Sequence, residues 1–206
     1  MNSWMIKNNY PLSLILDLID SIGKKKMFTK MDLHWGYNNV RIKEGDEWKA
    51  AFSTPEGSFE PMVMFFGLTN SPATFQVMMN DLLRDLIVEK KVAVFIDDVM
   101  IATETEERHD EIVEEVLRRL EKNDLFVKPE KCVWKIREVG FLGVRIGEDG
   151  VRMEKEKVQR VIEWLVPRSV KDVQKFLGLA NYYRWFVKDF TKIAKPLHEI
   201  MRKETK

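Results

Sequence analysis

Apolar positions along the chain repeat with two periods, and the switches between them divide it into elements. In "LSLILDLIDSIG", Leu14, Ile15, Leu18, Ile19 and Ile22 recur at helical spacing until Gly23, which predicts a first helix shortly after Pro11. "MFTKMDLHWGYNNVRI" mixes aromatic and β-branched residues with partial alternation. It predicts a strand, an irregular turn around Gly36 and a second strand ending in "NVRI". "KAAFSTPEGSFEPMVM" reads as a hairpin turning at Pro55-Glu56-Gly57. In "SPATFQVMMNDLLRDLI" a long helix is expected, with Ser71 as its cap and Pro72 at its first position.

"VAVFIDDVMIA" then predicts strand, Asp97-Asp98, strand, followed by a helix that puts Ile112, Val113, Val116, Leu117 and Leu120 on one face. Short strands punctuated by Gly140, Gly143, Gly147 and Gly150 come next, the last in an Asp149-Gly150 turn pair. Beyond Pro167, Ser169 and Asp172 have capping-box spacing, and helical periodicity runs on toward Pro196. The order up to residue 150 predicts an α+β fold with a mostly antiparallel sheet faced by helices on one side. The tail is helical, with a boundary near 150 where charge and element type change together.

Composition narrows the chemistry. At 206 residues and 45% hydrophobic content, the chain can build one large or two small domains. No apolar run approaches the ~20 residues of a membrane helix, and the first residues lack a signal-peptide pattern. No membrane partner is expected. Cys132 is the single cysteine and there are three histidines, His34, His109 and His198. An intrachain disulfide is excluded, a Cys/His zinc site is not supported, and any metal is expected on oxygen.

The net charge of +1 hides an asymmetry: residues 151–206 carry 14 Lys and Arg against 7 Asp and Glu, the preceding 150 residues 20 against 26. A basic tail on an acidic body suits a polyanion held by the tail and cations held by the body. Ordinary solvated helix faces would give the same numbers.

Adjacent carboxylates inside an apolar β run are the main chemical signal. A two-residue turn tolerates Asp, but Asp-Asp brings like charges together without the positive-φ preference of Gly or Asn. A hard dication with oxygen ligands would relieve the repulsion. Asp32 ends a predicted strand that the α+β arrangement allows beside this hairpin, so three carboxylates could meet around two Mg²⁺ ions ~3.5–4 Å apart, the apparatus of nucleotidyl transfer. Asp and Glu are frequent in this chain, and spacing alone leaves both readings open.

Five ordered stretches carry a resemblance: "FTKMDLHWGYNNVRI", "FFGLTNSPATFQVMMN", "FIDDVMI", "KPEKCVW" with "GFLGVRIGEDGV", and "VKDVQKFLGLANYYRWFVKDFTKIAKPL". Together they resemble the palm and thumb of reverse transcriptases from gypsy-type long-terminal-repeat retrotransposons, relatives of the retroviral enzymes. The resemblance implies a polymerase right hand: 1–27 the end of the fingers with an opening helix, 28–150 the palm, and 151–206 a basic helical thumb and the start of a connection. It implies an RNA-directed DNA polymerase that uses two Mg²⁺, with Mn²⁺ as substitute. Its partners would be an RNA or DNA template with primer and deoxynucleoside triphosphates, in a cytoplasmic retroelement particle or the nucleus.

Carried over residue by residue, Asp32, Asp97 and Asp98 would be the catalytic metal ligands, with the Leu33 carbonyl a further ligand. Tyr37 would underlie the sugar of the incoming nucleotide, with Gln76 and Phe95 close by. Read without the resemblance, Tyr37 is more often a core aromatic, and a polar residue on a helix surface is the favoured reading of Gln76. Gly143 falls in the primer-positioning hairpin, and Lys175, Arg184, Lys188 and Lys192 would track phosphates, while Tyr182, Trp185 and Phe186 equally suit a packed bundle.

The usual Tyr-x-Asp-Asp is Phe95-Ile96-Asp97-Asp98 here, a loss of one hydroxyl that is not a metal ligand. The fingers are expected to be largely missing, so association with fingers, RNase H or integrase parts of a polyprotein is a further expectation. A catalytically silent chain that still binds nucleic acid stays open beside the enzyme.

Overall fold

A computed structural model of the chain describes residues 5–203. The expected 1–27 and 151–206 segments therefore extend outside the described residues by residues 1–4 and 204–206. The chain divides into two compact units, Met1–Phe141 with Ile146–Gly150, and Leu142–Arg145 with Val151–Lys206.

In the first unit, helix α1 (Ile15–Ile22) leads into strand β1 (Met27–Asp32), and a short hairpin of β2 (Phe52–Thr54) and β3 (Gly57–Phe59) follows. Helices α2 (Ser71–Leu82) and α3 (Arg84–Val88) precede strands β4 (Val92–Phe95) and β5 (Asp98–Thr103). Helix α4 (Glu106–Lys122) and strand β6 (Val133–Ile136) complete a four-stranded sheet in the order β4-β5-β1-β6. Both neighbours of β1 run antiparallel to it, and β4 runs antiparallel to β5. Strands β7 (Glu138–Phe141), β8 (Val144–Gly147) and β9 (Gly150–Met153) follow, β7 within the first unit and the residues of β8 and β9 divided between the two. The architecture is α+β, as the order of periodicities requires.

Two-residue alternation decides which face does what. Met31 of β1, Val99 and Ile101 of β5, and Val92 and Val94 of β4 are fully buried with Phe75 and Met79 of α2, Leu86 of α3, and Ile112, Val116 and Leu120 of α4. Lys30, Asp32, Phe95 and Asp98 take the alternate positions and so point to the opposite face. Under α4, the buried His109 ring bonds Thr29 through Nε2 (2.7 Å) and Thr103 through Nδ1 (3.0 Å), tying the helix to β1 and β5.

The second unit contains α5 (Lys155–Ile162), α6 (Val170–Tyr182) and α7 (Phe190–Lys203). Val173 and Leu177 of α6 pack with Ala194 of α7, joined by Phe190, Leu197 and Met201. Ser169 caps α6 as its spacing predicts: its hydroxyl accepts from the Asp172 N–H and donates to the Asp172 carboxylate (2.8 Å).

Three expectations are corrected. "NVRI" forms one isolated bridge, Arg41 to Val63, flanked by the Ile42 N–H on the Met62 carbonyl (3.0 Å) and the Met64 N–H on the Val40 carbonyl (2.8 Å), and its first residue, Asn39, belongs to a 3-10 turn over Gly36–Asn39. Asn70, not Ser71, precedes the α2 helix as its N-cap, and the Ser71 hydroxyl instead donates to the Phe65 carbonyl (3.2 Å). The long expected helix after Ser71 is two, separated at Leu83, whose φ of −113° departs from helical geometry. Pro196 lies inside α7, where the Ala194 and Leu197 packing carries the helix across it.

Candidate active site

Pairing of β1 with β5 sets Asp32 opposite Asp98, the last register pair of the ladder, and pairing of β4 with β5 sets Phe95 opposite Asp98. Ile96 and Asp97 form the turn between β4 and β5. The structure thus brings Asp32, Asp97 and Asp98 to one end of the sheet, two on strands and one on a turn.

That turn is conformationally unfavourable. Ile96 has φ +54°, a left-handed conformation that a β-branched side chain rarely adopts. It is held from both sides: the Leu33 N–H donates to the Asp97 carbonyl (3.0 Å), and the Ile96 N–H donates to Oε1 of Gln76 (2.8 Å). Gln76 is fully buried, and its Nε2 donates to the Val94 carbonyl (3.1 Å) and to Oδ1 of Asn80 (2.9 Å). The amide expected near a nucleotide is thereby fully engaged by the protein. Trp35 adopts a second left-handed conformation (φ +53°) just before the Gly36–Asn39 turn, and its exposed ring stacks on His34 at 4.4 Å.

Oδ1 of Asp97 is buried without a hydrogen-bond partner, and it lies so close to Gly36 that a Cβ there would stand 2.6 Å from it. Burial, then the charges of Asp32 and Asp98, push the Asp97 carboxyl above the ordinary aspartate range, and Lys128 opposes them. Burial and then Asp97 also push the Tyr37 phenol up. The Tyr37 ring is buried between Phe66 (4.8 Å) and Phe75 (5.7 Å), in edge contact with both.

Lysines surround the other two carboxylates. Nζ of Lys128 stands 3.4 Å and that of Lys131 3.7 Å from Asp32, and Lys30 stands 3.0 Å from Asp98. Among the described residues, no group of three His, Cys, Asp or Glu side chains is arranged to hold a metal ion. The donors nevertheless fit a hard divalent cation in kind, because a buried carboxylate oxygen without a donor is costly until a cation compensates it. Sequence reasoning missed these lysines. Lys30 was legible, since two residues before Asp32 on a strand means the same face.

Gly143 takes φ +78°, its carbonyl accepts from the Tyr183 hydroxyl (3.3 Å), and the Tyr182 hydroxyl donates to the Leu142 carbonyl. Lys175 on α6, Arg184 and Lys188 in the α6–α7 connection and Lys192 on α7 are all exposed. Lys175 pairs with Asp172 at 3.6 Å and Lys192 with Asp189 at 3.0 Å. Tyr183 is buried, while Tyr182 and Trp185 remain partly exposed. Among the described residues no helix is long and apolar enough to cross a membrane.

Comparison with known proteins bears on the fold and the family. The transposon Tf2-3 and Tf2-7 polyproteins of Schizosaccharomyces pombe are each 34% identical over the whole chain, which spans 15% of their length. A foamy viral protease–reverse transcriptase solved with an RNA/DNA hybrid superposes with a TM-score of 0.87 at 28% identity, covering 98% of this chain and 27% of that one. A second foamy viral structure, with double-stranded DNA, reaches 0.92 at 28% identity, covering 98% of this chain and 35% of the other. The sequence model described as reverse transcriptase (RNA-dependent DNA polymerase) matches residues 1–146, and the chain belongs to that family.

Proposed function

We propose that this chain is the polymerase core of a gypsy-type retroelement reverse transcriptase, adding deoxynucleotides to a primer 3′ end on an RNA or DNA template. The observation that supports this most is the Asp32–Asp98 cross-strand pair beside the unpartnered, buried Oδ1 of Asp97. Like charges set in register at a strand end, in a chain of this family, are best explained by a cation that joins them. In this reading residues 28–150 are the palm and 151–206 the thumb.

Asp32, Asp97 and Asp98, with the Leu33 carbonyl, would hold two Mg²⁺ ions, or Mn²⁺ in their place. When bound, the ions supply an acidified primer hydroxyl and charge compensation for the departing pyrophosphate. The protein's own work is positioning. Strands β1 and β5 fix Asp32 and Asp98 through six consecutive register pairs, so neither carboxylate depends on a loop for its place. The Tyr37 ring, immobilised by Phe66 and Phe75, is a rigid floor on which a sugar lacking a 2′-hydroxyl rests. Phe95, opposite Asp98, supplies an apolar wall where a tyrosine would add a hydroxyl.

Gly143, with its positive φ and its carbonyl tied to Tyr183, offers backbone that a primer strand approaches closely. Arg184, Lys188, Lys175 and Lys192 are exposed cations suited to phosphates, a sequence-independent grip. The neighbours solved with an RNA/DNA hybrid and with double-stranded DNA support a template–primer duplex as the ligand of this chain too.

The test is extension of a labelled DNA primer on an RNA template with Mg²⁺ and four deoxynucleotides, comparing the chain with an Asp97→Asn, Asp98→Asn double variant. Extension by the parent that the double variant lacks supports the proposal. Duplex binding by both with extension by neither identifies a catalytically silent nucleic-acid-binding chain instead.

A further inference from the structure

Strand β4 lies at the edge of its sheet, so one row of its backbone groups has no strand to pair with. Two members of that row, the Val94 carbonyl and the Ile96 N–H, are two residues apart and point the same way. Gln76, projecting from α2, meets both with a single amide: Nε2 donates to Val94 and Oε1 accepts from Ile96. The side-chain amide thus continues the ladder by one peptide unit. Its orientation is fixed by the partners, because an N–H can face only the oxygen and a carbonyl only the nitrogen. Asn80 accepts the remaining Nε2 hydrogen and itself donates to the Tyr10 hydroxyl (2.8 Å), so the amide is anchored from behind.

The bond to Ile96 falls at the strained residue. A β-branched side chain at φ +54° leaves the left-handed region readily unless something retains it. Relaxation there would swing the next residue, Asp97, away from the seat that Leu33 and Gly36 define.

We propose that Gln76 is a positioning residue that fixes the Asp97 carboxylate by holding the Ile96 turn, rather than a contact to the incoming nucleotide. The proposal deepens the polymerase reading and rests on it for the role of Asp97. The hydrogen bonds of Gln76 go to Asn80, Val94 and Ile96 and not to the three carboxylates. Its effect travels through the backbone from Ile96 to Asp97.

The test uses the full chain with Gln76→Met, which keeps bulk and removes both hydrogen bonds, and Gln76→Asn, which keeps an amide one methylene too short. Three quantities are measured: hydrogen exchange at the Ile96 amide, Mn²⁺ affinity by calorimetry, and, in primer extension, kcat and the nucleotide KM separately. Both variants are expected to lose at least tenfold in Ile96 protection and about tenfold in Mn²⁺ affinity, with a fall in kcat and an unchanged KM. Adding Ile96→Gly, which adopts a positive φ without strain, should restore most of the Mn²⁺ affinity of Gln76→Met.

Ile96 protection and Mn²⁺ affinity at parental values, with a raised KM, would overturn the proposal in favour of a nucleotide contact. If Gln76→Met does not fold, the Gln76→Asn measurements decide alone. An Asp97→Asn control separates this result from the fate of the polymerase reading. Unchanged Mn²⁺ binding in that control overturns the metal site itself, whereas lost binding there with intact binding in both Gln76 variants overturns only the positioning role.

Discussion

Protonating one buried histidine should loosen the sheet that carries the carboxylates. The Thr103 hydroxyl donates to the Thr105 carbonyl (3.0 Å), so toward His109 it can only accept, which assigns the ring hydrogen to Nδ1. Nε2 then accepts from the Thr29 hydroxyl, whose oxygen in turn accepts from the Lys135 N–H (3.1 Å). Every donor in this chain of bonds has one acceptor when the ring is neutral. A second ring proton would face the Thr29 hydroxyl donor to donor, and that hydroxyl has no other acceptor among its bonded partners.

Burial holds the His109 pKa below its ordinary value. Among the facing charges Asp110 and Glu106 on α4 pull it up and Lys135 on β6 pushes it down. The sign follows directly. Between the ordinary value of ~6.5 and the lowered folded value the unfolded chain binds more protons, so stability is full above ~6.5 and falls as pH falls. One proton sets the ceiling of that slope at ~1.4 kcal/mol per pH unit. Urea unfolding of the parent and of His109→Gln at pH 7.5, 6.5 and 5.5 measures it. The variant starts roughly 2 kcal/mol less stable, from two buried hydrogen bonds at ~1 kcal/mol each, and should lack this part of the slope. Parallel pH profiles for the two chains would refute the assignment.

Three further outcomes follow from the site. Gly36→Ala should displace the Asp97 carboxylate, since its Cβ would stand 2.6 Å from Oδ1 and 3.0 Å from the Phe75 ring; unfolding should show a loss of about 1–3 kcal/mol, with Mn²⁺ affinity reduced. Lys128→Met with Lys131→Met removes two cations that compete for Asp32, so calorimetry should show tighter Mg²⁺ binding, and weaker binding would refute the competition. Duplex affinity should fall steeply between 50 and 200 mM salt, roughly 10³-fold if about six phosphates are contacted. Replacing Arg184 and Lys188 by alanine should flatten that dependence without changing sequence preference.

Much of this arrangement was legible because it rests on periodicity. The partial alternation through Met27–Asp32 and the apolar β run through Asp98–Thr103 mark two strands, and the apolar spacing of Ile112, Val116 and Leu120 marks α4. The end-of-strand position of Asp32 was likewise readable. What escaped is set by contacts distant in sequence. Nothing around Gln76 announces that its amide completes the edge of a strand 18 residues away. Nothing in "NVRI" reveals that a 3-10 turn will take its first residue, Asn39. The lysines at 128 and 131 reach Asp32 only because Lys128 N–H bonds the Asp32 carbonyl (2.8 Å), a contact across 96 residues of chain.

The carboxylates are not held together by any attraction of their own. A like-charge pair at ~4 Å in an effective dielectric of ~20 repels by about 4 kcal/mol before neighbouring lysines offset it. Left-handed Ile96 and Trp35 add about 1–2 kcal/mol each. Against these stand Met31, Val94, Val99 and Ile101, all fully buried on the other face of the same strands, at about 1.5–3 kcal/mol apiece. A slip of one residue between β1 and β5 would take Met31 off the face it shares with Val99 and Ile101 and put Asp32 there, breaking the apolar packing and burying a charge at once. The register that places Asp32 opposite Asp98 is therefore enforced from behind, by hydrophobic residues that never meet a ligand. Substitutions at Val99 or Ile101 should accordingly weaken metal binding through register while leaving every carboxylate in the sequence.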